Sequence, residues 1–245
     1  MPNKEDNKKD GTTMPSENPS DNDAKHTRFA TSFLSFLEKP AVRWFCKRFP
    51  SWVNPDMLTV IGLLGALVVG AGYLLCRYNP AFIWLASFGL LLNYFGDGLD
   101  GALARYRKIE RPKYGFFIDH TVDAFAEFAV MLGVALSGYV NFTLALFALI
   151  GYFMVSVVVI AYAFVNGEFR ITYGGFGPTE LRALIILCNT LIFFIGKPMI
   201  ELFGFRFGLY DGILVAVIAI LYGIFIGLVI TKGIELNRID RKKRE

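Results

Sequence analysis

Charge is scarce along most of this chain. Only 19% of its 245 residues are Asp, Glu, Lys or Arg, against 54% hydrophobic residues. With a mean hydropathy of +0.46, that scarcity excludes an ordinary soluble fold and predicts a membrane protein. Cysteine is rare as well. Cys46, Cys76 and Cys188 lie far apart, without a His or Cys at metal-ligand spacing, so a thiolate metal site is excluded and they read as helix-packing thiols. Residues 1–28 have almost no apolar side chains. Such a segment cannot bury enough surface to order itself, and a disordered polar tail is expected. It has no apolar core behind a basic start, so it does not read as a cleavable secretory signal. The net charge of +4 gives no pointer to nucleic acid.

What is present is apolar length. Residues 29–50 repeat Phe29, Phe33, Phe36, Leu37, Trp44 and Phe45 at near-helical spacing, with Lys39, Arg43, Lys47 and Arg48 available to lipid phosphates; this predicts an amphipathic helix on the membrane surface. Asn54-Pro55 reads as an N-cap and first helical residue, opening a run to Cys76. Further runs cover about Phe82 to Arg105, Gly115 to Leu136, Phe142 to Val165, Pro178 to Ile195 and Leu209 to Thr231. A span needs about 20 apolar residues, so residues 51–235 are expected to form one six-helix membrane domain, followed by a basic C-terminal tail at 236–245. The fold class is therefore an all-α integral membrane protein with six transmembrane helices preceded by an amphipathic interfacial helix. Arg107, Lys108, Arg111 and Lys113 in one link, and Lys232, Arg238, Arg241, Lys242, Lys243 and Arg244 at the end, place both termini in the cytoplasm by the positive-inside rule.

Against this background four aspartates stand out. Asp97, Asp100, Asp119 and Asp123 sit in or beside apolar sequence, where each would cost about 2.5–3.5 kcal/mol at the centre of a span. Arg105 alone cannot balance them. Asp97, Asp100, Gly101 and Ala104 share one helix face, and Gly115, Asp119 and Asp123, spaced by four, form a second stripe. Small residues would let the two helices approach. Clustered hard oxygen donors of this kind suit Mg²⁺ or Mn²⁺.

The segments Asp97-Gly-Leu-Asp100-Gly101-Ala-Leu-Ala104-Arg105 and Gly115-Phe-Phe-Ile-Asp119-His-Thr-Val-Asp123 together resemble the DxxDGxxAR…GxxxDxxxD pattern of the CDP-alcohol phosphotransferases. Nine residues separate Arg105 from Gly115, where the family usually has eight. The resemblance covers most of the membrane domain. It implies a metal-dependent enzyme of phospholipid biosynthesis that moves a substituted phosphate from a CDP-alcohol to an acceptor alcohol and releases CMP. It further implies Asp97, Asp100 and Asp119 as ligands of Mg²⁺ or Mn²⁺, two ions being expected, and Asp123 as ligand, general base, or both in turn. Gly101, Ala104, Arg105 and Gly115 would contact the CDP-alcohol or its phosphates, as would Asn54 and Thr59 at the start of the first span. A cytoplasmic-facing site and a homodimer are also implied, the latter with Gly133, Ala135, Gly151 and Ser156 as a small-residue face.

His120 is a second candidate for the catalytic base. Choline and ethanolamine phosphotransferases also place a His after this aspartate, and Gly177-Pro178-Thr179-Glu180 resembles their GPxE segment, which tilts the reading toward an aminoalcohol donor and a lipid alcohol acceptor. Glu127, Glu180 and Arg182 are candidate acceptor-side or supporting residues. Pairing of Glu127 with Arg182 is one expectation, protonation of Glu127 another, and Asn93 is expected to bond a neighbouring helix, with lining of the pocket floor as the alternative. The Gly-rich link from Asn166 to Gly177, with Arg170, Gly174 and Gly175, is a weaker candidate for covering the donor. Two other functions compete. An intramembrane prenyltransferase would explain metal-binding aspartates, and Asn93-Tyr94-Phe95-Gly96-Asp97 is faintly similar to the first motif of that class, but no second Asp-rich site follows residue 123. A cation transporter would explain membrane carboxylates without chemistry, yet needs neither the Ala104-Arg105 pair nor the glycine spacing.

Overall fold

The structure is a computed structural model that describes residues 35–166, 178–202 and 205–242. The polar tail, residues 29–34, and the Gly-rich link with Arg170, Gly174, Gly175 and Gly177 lie outside the described residues. Among these residues seven α-helices follow in order: α1 Ser35–Arg48, α2 Pro55–Leu75, α3 Ile83–Arg107, α4 Pro112–Leu136, α5 Phe142–Asn166, α6 Pro178–Ile195 and α7 Leu209–Lys242, with a single 3-10 turn at Pro80–Phe82 before α3. Each apolar run of the sequence is a helix whose ends differ from the expected ones by a few residues, except at the C-terminus. There α7 continues through Lys242, so most of the segment read as a basic tail is the end of the last helix. A short antiparallel hairpin of β1 Met199–Leu202 and β2 Phe205–Gly208 joins α6 to α7. This element was not expected, because the link was read only for its lack of cations.

Among the described residues, four helical stretches are long and apolar enough to cross a membrane: Pro55–Leu75, Pro80–Arg107, Phe142–Val165 and Leu209–Arg241, with Arg182–Ile195 as a shorter apolar helix. The protein is thus a largely membrane-spanning helical bundle. The expected count of six is not reached on these grounds. Lys113, Asp119, His120, Asp123 and Glu127 lower the apolar character of α4, and the apolar part of α6 is short.

α2 is the hub, packed on both α3 and α4; α6 lies on α3, α1 on α3, and α5 joins α4 to α7. Glycine makes the α2 contacts possible. A Cβ on Gly96 would fall 2.2 Å from the Gly62 nitrogen, and one on Gly133 would fall 2.2 Å from the Gly70 carbonyl oxygen, distances no side chain tolerates. The close helix approach expected between the two aspartate helices therefore occurs elsewhere. Gly101 meets only the Arg105 guanidinium, and a Cβ on Gly115 would meet nothing within 4 Å. The small-residue face proposed for a homodimer is also used within the chain: Gly133 lies on Gly70, Gly151 on Tyr222, and Ala135 is buried.

Two polar features tie the bundle together. The Tyr73 hydroxyl donates to Asn189 Oδ1 at 2.9 Å, and Asn189 Nδ2 donates to Ser87 Oγ at 3.0 Å, linking α2, α6 and α3. In a medium without water such groups must find each other. At the other end Arg107 donates to the carbonyls of Phe49, Pro50, Ser51 and Val53, fastening the α1–α2 link to the end of α3. α1 seats Cys46 against Leu58, Leu99 and Leu103 and Phe45 edge-on to Phe95 at 5.1 Å. Trp44 stays exposed with Arg48 over its ring at 4.0 Å, a cation–π contact. Of the three cysteines, Cys46 and Cys76 are buried as expected and Cys188 is exposed.

Candidate active site

Asp97 and Asp100 lie three residues apart on α3, and Asp119 and Asp123 four apart on α4; each pair occupies one face of its helix. α3 and α4 both pack on α2 rather than closely on one another, yet the carboxylates are near enough to interact. Asp123 feels the charges of Asp97, Asp119 and Asp100, and also that of Arg182. Asp97, Asp119 and Asp123 are exposed and Asp100 is half-buried, so the cluster borders accessible space instead of being sealed into the bundle. Gly115 leaves that space open, a Cβ there meeting nothing within 4 Å.

The individual carboxylates have different partners. Asp100 Oδ2 accepts a 2.7 Å hydrogen bond from the Thr59 hydroxyl of α2, and its other oxygen accepts from the Gly101 N–H. Thr59 thus joins the site through Asp100. Asp97 Oδ2 is held at 2.6 Å by Nη2 of Arg182, whose Nε donates to Asn93 Oδ1 at 3.1 Å. Asn93 in turn donates from Nδ2 to the Gly62 carbonyl of α2 at 2.9 Å, the interhelical bond expected of it. The expected alternative of an Arg182–Glu127 pair is not formed, because Arg182 is engaged one helix away, on α3. Glu127 instead lies near the Tyr152 hydroxyl of α5.

His120 is turned along its own helix: its Nδ1 lies 2.9 Å from the Phe116 carbonyl oxygen, and its ring lies on that of Phe116 with centroids 4.1 Å apart. A carbonyl only accepts, so Nδ1 carries the hydrogen and Nε2 is the basic nitrogen. Arg105 folds back over Gly101, its Nη1 3.3 Å from where a Cβ would stand. Ala104 uses its carbonyl to accept from Ile109 N–H at 3.0 Å, closing α3 at Lys108, which adopts a left-handed conformation. Pro55 is the first residue of α2 as expected, but Asn54, at the cap position, makes no side-chain capping bond. Pro178 opens α6, while the side chain of Glu180 lies outside the described residues.

The four carboxylates form a hard, anionic donor set whose chemistry fits Mg²⁺ or Mn²⁺. As placed, they are not a closed cage. Among the described residues no three His, Cys, Asp or Glu side chains are set around one ion, since Asp97 is directed to Arg182 and Asp100 to Thr59. Two contributors were not evident in the sequence. Arg107 looks there like any other cation of a cytoplasmic link, and the Arg111–Asp56 ion pair, joining that link to the first turn of α2, has no local spacing to announce it.

Comparison with known proteins adds an independent line. The profile of the CDP-alcohol phosphatidyltransferase family matches residues 52–229, which contain every helix from α2 to α6 and most of α7. The chain is 38% identical to an archaetidylinositol phosphate synthase of Pyrococcus horikoshii over 42% of its own length and 52% of that protein. It is 38% identical to a phosphatidylinositol phosphate synthase of Cutibacterium acnes over 34% of its length and 38% of that protein. A cholinephosphotransferase 1 of Danio rerio matches at 26% identity over 71% of this chain and 48% of that protein. The matched stretches thus span about half or less of these relatives' own lengths.

Proposed function

Since the chain belongs to the CDP-alcohol phosphatidyltransferase family, we propose that it transfers a substituted phosphate from a CDP-alcohol to an acceptor alcohol in the membrane and releases CMP. The observation that carries this reading is that Asp97, Asp100, Asp119 and Asp123 lie near enough to interact across α3 and α4, both packed on α2, beside Gly115, where a Cβ would meet nothing within 4 Å. In the reaction the acceptor oxygen bonds to the phosphorus next to the alcohol, the bond from that phosphorus to the CMP oxygen breaks, and the acceptor proton passes to a base. A bound divalent cation supplies charge neutralisation for the pyrophosphate and the departing CMP.

The chain's own residues divide the remaining work. Asp97, Asp100, Asp119 and Asp123 would hold the ions, two being expected. Thr59 keeps the Asp100 carboxylate directed toward the site, and Arg105, lying over Gly101, is placed to meet phosphate oxygens. Asp123 or His120 Nε2 takes the proton, a role for which either group has suitable chemistry. We further propose six crossings, with α4 and α6 completing the bundle because the polar residues of α4 face the site. The basic α3–α4 link and the basic end of α7 support a cytoplasmic site and cytoplasmic termini by the positive-inside rule. The division into a polar tail at 1–28, a surface helix at 29–50 and a catalytic membrane domain from 51 is part of the same reading, as is a homodimer on a surface other than Gly133, Ala135 and Gly151.

For the donor, His120 and Glu180 favour an aminoalcohol with a lipid alcohol acceptor, and the match to a cholinephosphotransferase accords with that. A second reading has support of its own: the inositol-type relatives match at higher identity, and a CDP-diacylglycerol–serine O-phosphatidyltransferase of Encephalitozoon cuniculi, 37% identical over 42% of this chain and 27% of that protein, favours a CDP-lipid donor with a polar acceptor. Full-length protein in lipid, given Mg²⁺ and a panel of CDP-choline, CDP-ethanolamine, CDP-diacylglycerol and a CDP-linked archaeal-type lipid with candidate acceptors, should release CMP with one pairing. Absence of CMP release with every donor would overturn the enzymatic reading.

A further inference from the structure

Arg182 is in direct contact with the carboxylate cluster through Asp97, and its setting is built. Its side chain is only 20% exposed, against 40% for the Asp97 side chain it grips. The guanidinium is fixed from two directions, with Nη2 on Asp97 Oδ2 at 2.6 Å and Nε on Asn93 Oδ1 at 3.1 Å. Asn93 is itself anchored to the Gly62 carbonyl. Tyr94 lies on the same side, its ring centroid 5.9 Å from the guanidinium carbon. Arg182 also acts on Asp123 across the cluster. A single positive charge therefore reaches carboxylates on both acidic helices while standing on a third.

We propose that Arg182 is a resident counter-ion of the carboxylate cluster, which keeps Asp97 in place within the bundle and which a divalent cation must outcompete at that carboxylate. Four acidic groups in membrane helices repel each other and resist desolvation, and a guanidinium on Asp97 offsets part of both costs. The same charge opposes entry of a metal ion, because like charges sharing a carboxylate compete for its oxygens. Arg182 so acts as a positioning residue that sets the metal concentration at which the site fills. The inference rests on the reading that these aspartates bind a divalent cation.

The sign of one measurement separates this role from a merely structural one. Mn²⁺ binding by full-length protein in lipid nanodiscs, followed by electron paramagnetic resonance at low ionic strength, should tighten by about tenfold in Arg182→Gln, as expected when a unit charge beside the ligands is removed. Arg182→Lys, which keeps the charge, should stay near the wild-type Kd. A structural role predicts weaker binding in the Gln variant, and weaker or unchanged binding there overturns the proposal. Should the Gln variant fail to fold, the wild type carries the test. The ¹⁵N resonance of the Arg182 Nε–H should then shift with Mg²⁺ at the concentration that fills the site, and a resonance unmoved at saturation overturns the proposal. If the wild type binds no Mn²⁺ at all, the metal reading itself fails and the proposal falls with it. If it binds Mn²⁺ and the Gln variant does not bind more tightly, only the role of Arg182 is lost.

Discussion

The hydroxyl of Thr59 donates a 2.7 Å hydrogen bond to Asp100 Oδ2, so a residue at the start of α2 directs a carboxylate of α3. Hydrogen bonds to charged groups are worth about 1.5–3 kcal/mol. Thr59→Val, which keeps the shape and loses the donor, is expected to lower turnover by about 10–100-fold, and Thr59→Ser to keep most of it. Steady-state CMP release from the two variants in the same lipid checks the pair. Equal activities would show that the bond does not matter to the site.

Gly96 and Gly115 should respond oppositely to a methyl group. At Gly96 the added carbon would lie 2.2 Å from the Gly62 backbone, so Gly96→Ala must part α2 from α3 and should cost about 1–3 kcal/mol or more. Gly115→Ala meets no atom within 4 Å and removes a flexible residue from a helix, which favours the fold by up to about 1 kcal/mol. Its methyl would instead intrude on the space beside Asp119, and turnover should fall while stability holds. Thermal unfolding in detergent, compared with turnover, distinguishes the two.

Arg107 ties the α1–α2 link to α3 through four carbonyls, with Cys46 shut beneath α1. Burial pushes the Cys46 thiol up from its usual pKa, an effect larger than the opposing pull of Arg105 and Arg107. Less thiolate and no access both slow alkylation. Arg107→Ala should release α1 and speed maleimide labelling of Cys46, although the lost positive charge acts weakly in the other direction. Unchanged labelling, read by mass spectrometry, would mean that α1 stays seated without the clamp.

Asp123 and His120 compete for one role. A general base contributes about 10²–10⁴-fold, so whichever residue takes the proton should lose that much turnover on substitution, as Asp123→Asn or His120→Ala, while still binding donor. Calorimetry of donor binding and turnover at saturating donor are measured together. If both variants bind donor and turn over at the wild-type rate, the proton leaves by another path.

The helices and the four aspartates were legible because hydropathy and three- or four-residue spacing are local properties of the chain. Partners were not. Nothing near Arg182 says that it meets Asp97 rather than Glu127, since that choice depends on how α6 lies on α3. The glycines of the motif were expected to bring α3 and α4 together, whereas Gly62, Gly70, Gly96 and Gly133, outside the motif, make the tight contacts and Gly115 faces space. The β1–β2 hairpin was missed because its eight strand residues, Met199–Leu202 and Phe205–Gly208, lie in a link read only for its charges. The extent of α7 was missed for a similar reason: a basic segment was read as a tail, although Lys and Arg are good helix formers.

Arg182 and Asn189 stand seven residues apart on α6, two turns along one side, and meet Asn93 and Ser87 at a similar interval on α3. Sliding α6 by a single turn would break both sets of hydrogen bonds at once. The helix therefore has one permitted register, checked at two depths. Because Asn189 sits in the bundle interior and Arg182 beside the carboxylates, the register that satisfies the interior is the same one that aligns α6 at the site.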